Sequence, residues 1–179
     1  MDLNPPIKKL NDLRHVIVLA HHGRALGREV DPTQPLSESG RAASRKLALA
    51  VAARGVQPDA IWHSGKFRAR QTAELFLATC HPGAAFSVAR GLQPTDPPRV
   101  IHDRLETGDR SILIVGHMPH LGQLLRVLCG ELPDSLAIDF PLHGCVALEP
   151  QRARWKELWR LDESTTDAPA RFCVLSEPE

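Results

Sequence analysis

The stretch VIVLAHHGRA, Val16 to Ala25, decides the fold. Its apolar residues follow one another without helical spacing and are rich in β-branched side chains, so His15 to Ala20 reads as a short buried strand. The strand runs directly into His21, His22 and Gly23. Taken alone, His22 is simply a polar strand end, and its meaning depends on what else arrives beside it.

Further along the chain, strand and helix patterns alternate. A proline- and glycine-rich loop, GREVDPTQPLSESG, leads to a helix that Ser37 or Ser39 caps, with Ala42, Leu47 and Val51 on its apolar side and Gly55 as its stop. DAIWHS (Asp59–Ser64) reads as a strand and FRARQTAELFLATC as a helix with Ala69, Ala73, Phe76 and Leu77 on one face. AAFSVARGL starts as a strand, PRVIHDRLETG is a short helix, and RSILIVGH is the strongest strand pattern of all, ending at Gly116–His117. MPHLGQLLRVLCGE places Leu121, Leu124, Leu125 and Leu128 at helical spacing. LAIDFPLHGCVALEP and RARWKELWRLD read as two strands joined by a turn, though the alternation of Trp155, Leu158, Trp159 and Leu161 is imperfect. This order predicts an α/β fold, a single-domain three-layer sandwich with a mostly parallel central sheet flanked by helices. Residues 1–12 read as a lead-in, 13–163 as the domain and 164–179 as a tail that docks or hangs free.

Composition bounds the function. With 179 residues, 42% hydrophobic and 24% charged, the chain has the mix of a globular protein able to bury a full core. A formal net charge of +1 gives no electrostatic reason to expect nucleic acid or an anionic membrane as partner. No apolar run approaches the roughly 18 residues that a membrane span needs. Cys80, Cys129, Cys145 and Cys173 show no C-x-x-C spacing, which argues against a disulfide framework or structural zinc and for thiols in a reducing cytoplasm. Oligomeric state is left open.

In open α/β sheets, ligands bind beyond the carboxyl ends of the strands. Three strand patterns here end in His21–His22–Gly23, His63–Ser64 and Gly116–His117. If the sheet is parallel, these ends share one rim. A neutral imidazole is a good nucleophile, and attack on a phosphoryl group makes a phosphohistidine that water later removes. Such transfer needs cations and donors around the equatorial oxygens, and Arg68, at the start of a helix, is placed to grip two of them.

VIVLAHHGRA resembles the strand-then-Arg-His-Gly signature of the histidine phosphatase superfamily. HSGKFRARQTAE is similar to its Ser-Pro-x-x-Arg-Ala-x-Gln-Thr-Ala segment, ILIVGHMPHL to its Gly-His-x-Pro strand end, and PLSESGRAASRKLA to its intervening helix start. The resemblance spans residues 13–161 and is strongest to the small phosphohistidine phosphatases of the SixA type, with a phosphoglycerate mutase-like fold. It implies a metal-independent phosphatase without cofactor. His22 would be the nucleophile, Arg68 and His117 would bind the phosphoryl oxygens, and Ser64 would lie at the rim, where it could equally cap a helix.

Two positions depart from the pattern. His21 stands where the family has its first arginine, and Gly65 where it has proline. A histidine at 21 would bind phosphate as a cation only below its ordinary pKa of about 6.5, so activity would then fall as pH rises. Arg24, Arg28 or Lys66 could turn toward the phosphate in compensation. Asp96 is the leading candidate for a general acid, with Glu106 second. Without a dependable acid, labile substrates are favoured: phosphohistidine on a protein, or a small phosphoester with a good leaving group. The competing reading is a non-catalytic phospho-binding module, because the arginine is missing. A metal hydrolase built on His21, His22 and His117 is a third. Among the remaining histidines, His143 reaches the rim only if its turn folds over it, and His63, His81, His102 and His120 read as core or surface.

Overall fold

The computed structural model describes residues 15–130, 139–152 and 154–166. Strands β1 (Ile17–His21), β2 (Ala60–His63), β3 (Ala85–Val88) and β4 (Ile112–Gly116) alternate with helices α1 (Glu38–Ala52), α2 (Phe67–Cys80) and α3 (Arg99–Glu106). Helix α4 (His120–Cys129) follows, and then the hairpin pair β5 (Cys145–Gln151) and β6 (Arg154–Leu161). They form one six-stranded sheet in the order β3-β2-β4-β1-β5-β6. The strands β3, β2, β4 and β1 are mutually parallel, whereas β5 runs antiparallel to β1 and β6 antiparallel to β5.

The two faces of β1 separate the layers. Val18 and Ala20 join Leu47 and Val51 of α1 and Ala69, Ala73 and Phe76 of α2 in one core. Ile17 and Leu19 join Ile101 and Leu105 of α3 and Leu121, Leu124, Leu125 and Leu128 of α4 in the other. This is the expected three-layer sandwich, and it follows from the period of two along a strand buried on both faces.

Local details refine the sequence expectations. Ser37, not Ser39, caps α1: its Oγ accepts the Gly40 N–H at 3.0 Å. Ala42 is exposed; the buried side of α1 is Gly40, Ser44, Leu47, Ala48, Ala50 and Val51. A bulge explains the imperfect alternation of β6. Ala147 faces Trp159 and Leu148 faces Glu157, so Leu158 is the extra residue. Trp155 therefore packs in the α4 core while Trp159 and Leu161 pack in the α1 core. The 1–12 lead-in, the start of LAIDFPLHGCVALEP and nearly all of the 164–179 tail lie outside the described residues.

Candidate active site

Parallel pairing brings the three strand ends to one rim. His21 pairs with Gly116 across β1 and β4, and the His22 N–H donates to the Gly116 carbonyl at 3.2 Å. The rings of His22 and His117 lie with centroids 4.9 Å apart. Arg68, in the first turn of α2, donates from Nε to His22 Nε2 at 3.1 Å and from Nη1 to the Gln34 side-chain oxygen at 3.2 Å. His22, His117 and Arg68 thus lie together at one rim.

These contacts fix the chemistry of His22. Its Nδ1 lies 2.8 Å from the Gly23 carbonyl, which can only accept, so Nδ1 carries the proton. The lone pair is then on Nε2, on the side of the guanidinium. Burial lowers the His22 pKa to about 4, against a raising hydrogen bond to Gly23 and with the positive charges of Arg68 and Lys66 adding to the fall. His22 is a neutral base throughout the physiological range.

His117 is buried, with a pKa lowered to about 3, first by burial and then by His22, Arg68, Lys66 and His21. Its Nε2 lies 2.6 Å from Ser64 Oγ. Ser64 Oγ also accepts the Lys66 N–H at 3.4 Å, and His117 Nε2 is the one acceptor within reach of the Ser64 hydroxyl proton among the described residues. With Ser64 donating, the proton of His117 sits on Nδ1, which is buried and has no hydrogen-bond partner among the described residues. An unpaired buried donor beside a neutral imidazole and a guanidinium suits an incoming oxyanion. Ser64 is spoken for by this contact: the residue at the cap position of α2 is Lys66, and no side chain caps that helix.

The Gln71 and Thr72 positions of the HSGKFRARQTAE segment have a structural purpose. Gln71 Oε1 accepts the Leu36 N–H at 2.7 Å, and Thr72 Oγ1 accepts the Gly23 N–H at 3.1 Å while donating to the Arg68 carbonyl at 2.8 Å. Helix α2 therefore latches the loop after β1 beside its own Arg68.

Other candidates are placed differently. Arg24 turns outward and pairs with Glu163 at 2.8 Å, its side chain 58% exposed, so it does not join them. Arg28 is exposed on the β1–α1 loop. Lys66 is the one of the three whose charge acts on both His22 and His117. His21 is buried and its pKa is lowered to about 3, by burial first and then by His22, His143 and Arg68, so it is no cation at neutral pH. Asp96 accepts the Gln93 N–H at 2.8 Å and lines, with Ser64, Val88, Gln93 and Val100, a hollow of about 380 Å³ next to the histidines. Glu106 faces His102 at 3.7 Å on the outer side of α3, away from that hollow. Among the described residues no three His, Cys, Asp or Glu side chains form a group that could hold a metal ion.

His143 does reach the rim. Its backbone N–H donates to His21 Nδ1 at 3.0 Å and its own Nδ1 donates to the His22 carbonyl at 2.8 Å. A sequence signal for it existed: β5 runs antiparallel to β1, so the residues just before β5 must lie at the carboxyl end of β1. Gln34, which holds Arg68, had no such signal.

A parallel-sheet rim holding an imidazole base, a guanidinium and an unpaired imidazole donor offers the groups that phosphoryl transfer uses. Residues 13–93 match the model of the histidine phosphatase superfamily (branch 1). Solved structures agree in fold. The protein histidine phosphatase SixA complexed with tungstate superposes with a TM-score of 0.73 at 22% identity, over 84% of this chain and 98% of that one. A protein described as phosphohistidine phosphatase SixA from Agrobacterium tumefaciens gives 0.66 at 24% identity, over 82% and 97%. Mycobacterial glucosyl-3-phosphoglycerate phosphatase with inorganic phosphate gives 0.61 at 17%, over 83% and 98%. No curated protein matches the chain by sequence.

Proposed function

We propose that residues 13–163 form a phosphatase in which His22 Nε2 attacks a phosphoryl group. The observation that carries this reading is the tautomer of His22, set by Gly23 on one side and Arg68 on the other. In the first step the Nε2–P bond forms and the bond from phosphorus to the leaving group breaks. In the second, water attacks phosphorus, orthophosphate leaves and Nε2 regains its lone pair. Arg68 and the Nδ1–H of His117 hold the equatorial oxygens through both steps.

The substrate class we infer is a phosphoramidate, with phosphohistidine on a protein first. We assign the leaving group to the hollow that Ser64 and Asp96 line, where Asp96, held by the Gln93 N–H, is the one carboxyl among the described lining residues. An imidazole leaving group takes a proton readily and asks little of that carboxyl, whereas a simple alkoxide asks much. The substrates in the neighbours' descriptions, phosphohistidine and glucosyl-3-phosphoglycerate, a phosphoramidate and a phosphate ester, bracket these options. Cys80 and Cys145 carry buried thiols, Cys80 with its pKa pushed up to about 12 by burial, which suits a reducing compartment.

The test is turnover of a phosphohistidine-bearing protein, free phosphoramidate and p-nitrophenyl phosphate, with acid-labile phosphoenzyme trapped during the reaction. His22→Ala is expected to abolish both turnover and trapping. One observation favours a second reading, a phospho-binding module without turnover: among the described residues a single guanidinium, that of Arg68, touches His22. Tungstate binding with no phosphoenzyme on any of the three substrates would establish it.

A further inference from the structure

His21 is built into the wall of the site. Its Nδ1 accepts the His143 N–H at 3.0 Å, and its own N–H donates to the Gly144 carbonyl at 2.9 Å. His143 returns the contact with its ring, which lies along that of His21 with centroids 5.0 Å apart and planes 25° off parallel. The Nδ1–H of that ring donates to the carbonyl of His22 at 2.8 Å. The residue before the nucleophile, the nucleophile's own carbonyl and the turn before β5 therefore form one closed circuit of hydrogen bonds.

The circuit is held at some conformational cost. His143 has φ of +55°, the left-handed region that side chains other than glycine and asparagine rarely adopt. Gly144 follows it, and a Cβ there would run into the Leu161 carbonyl. A strained residue that persists beside a site is held there by its surroundings.

An arginine could not take the place of His21 in this circuit. A guanidinium has five donors and no acceptor, so the His143 N–H would lose its partner in a buried wall. The stacked ring would be displaced with it. Positive charge reaches the hollow from Arg68 and Lys66 on the opposite side.

We propose that His21 and His143 act as one positioning unit for His22, so that the arginine expected at position 21 has been replaced by a fixed pair of imidazoles rather than lost. This rests on the reading of His22 as nucleophile, which the test separates from the pairing itself. Three consequences follow for variants. His21→Arg lowers kcat/KM on phosphoramidate about tenfold and does not tighten tungstate binding measured by calorimetry. His143→Gly keeps the backbone N–H and the positive φ but removes the ring, and lowers kcat about tenfold with KM nearly unchanged. His143→Asn, which tolerates that φ and can donate to the His22 carbonyl, recovers most of the loss.

The pairing also has a readout that needs no turnover. Imidazole 15N spectra of wild type and of His22→Ala at pH 7 should show the proton of His21 on Nε2 and that of His143 on Nδ1. A rise in kcat/KM or in tungstate affinity on His21→Arg overturns the proposal, as do the opposite tautomers. So does a His143→Gly enzyme with unchanged kcat, or a His143→Asn enzyme no better than His143→Gly. If His21→Arg fails to fold, the two His143 variants and the spectra decide. If wild type turns over no substrate while the spectra and the tungstate titration come out as stated, the phosphatase reading falls and the pairing stands.

Discussion

His22 works as a base because everything around it keeps a proton off Nε2. Burial and the charges of Arg68 and Lys66 lower its pKa to about 4, and the Gly23 carbonyl keeps the one proton it has on Nδ1. The sign for catalysis follows. From pH 8 down to about 5 the nucleophile stays unprotonated, and kcat/KM for a substrate whose own charge is constant should stay level. The acid limb should fall near pH 4, the His22 value, and not near 6.5. A fall in substrate-corrected kcat/KM as the pH rises past about 6.5 would show that a cationic His21 is needed, the expectation that its buried, neutral state contradicts. Arg68 is the complementary residue. Its fork reaches both His22 and Gln34, which the single ammonium of a lysine cannot reproduce. Arg68→Lys should lower kcat/KM about 100-fold, within the range for removal of one oxyanion donor. Steady-state kinetics on phosphoramidate with both proteins would check it.

At the scale of elements, the site depends on how α2 grips the end of β1. Thr72 is fully buried and joins the Gly23 N–H to the Arg68 carbonyl. Thr72→Val keeps the shape but leaves the buried Gly23 N–H unpaired, while the Arg68 carbonyl keeps its helical bond, so it should cost about 1–3 kcal/mol of stability, read from urea unfolding. Activity should fall with it, because nucleophile and guanidinium are held by the same hydroxyl. This latch and its neighbours also show what could be read before the structure was seen. The strand ends and the place of His22 at the rim were legible because buried parallel strands are short apolar runs and their ends are defined by the residues that stop being apolar. The turn after β2 was legible only as a departure. Gly65 has φ of +86°, a backbone that proline cannot adopt, so glycine here marks a different turn and not a loosened one. The β6 bulge was hidden because one extra residue switches faces midway, and no single period fits both halves. Arg24 misled because neighbourhood in sequence says nothing about direction: just past β1 its side chain turns outward to Glu163. For His143 the sequence gives only a condition, that its turn folds over the rim, because its placement depends on β5 lying antiparallel to β1.

For the whole molecule, the imidazoles that make the site also set how it responds to acid. His21, His22 and His117 have pKa values lowered to about 3, 4 and 3, and burial lowers those of His15, His63 and His120 as well. An unfolded chain would protonate each near its ordinary value of about 6.5. Above that pH both states are neutral and the histidines contribute no slope. Between about 6.5 and 4 the unfolded state holds protons that the folded state refuses, so stability must fall as the pH drops through that window. An oxyanion in the hollow changes the balance: its negative charge favours the protonated imidazoles, and it binds only the folded chain. At 100 times its dissociation constant such a ligand stabilises by about 2.7 kcal/mol. Thermal melts at pH 7 and pH 5, with and without saturating tungstate, should therefore show a lower Tm at pH 5 in the free protein. The tungstate-induced rise should be larger at pH 5 than at pH 7, because there the anion also relieves the suppressed protonation of His22 and His117. In His22→Ala the difference between the two rises should shrink, since one of the groups that couples proton uptake to the anion is gone. Equal rises at both pH values in the wild type would mean that the bound anion is not in contact with these imidazoles. The hollow between His22, His117 and Arg68 would then not be where the oxyanion sits.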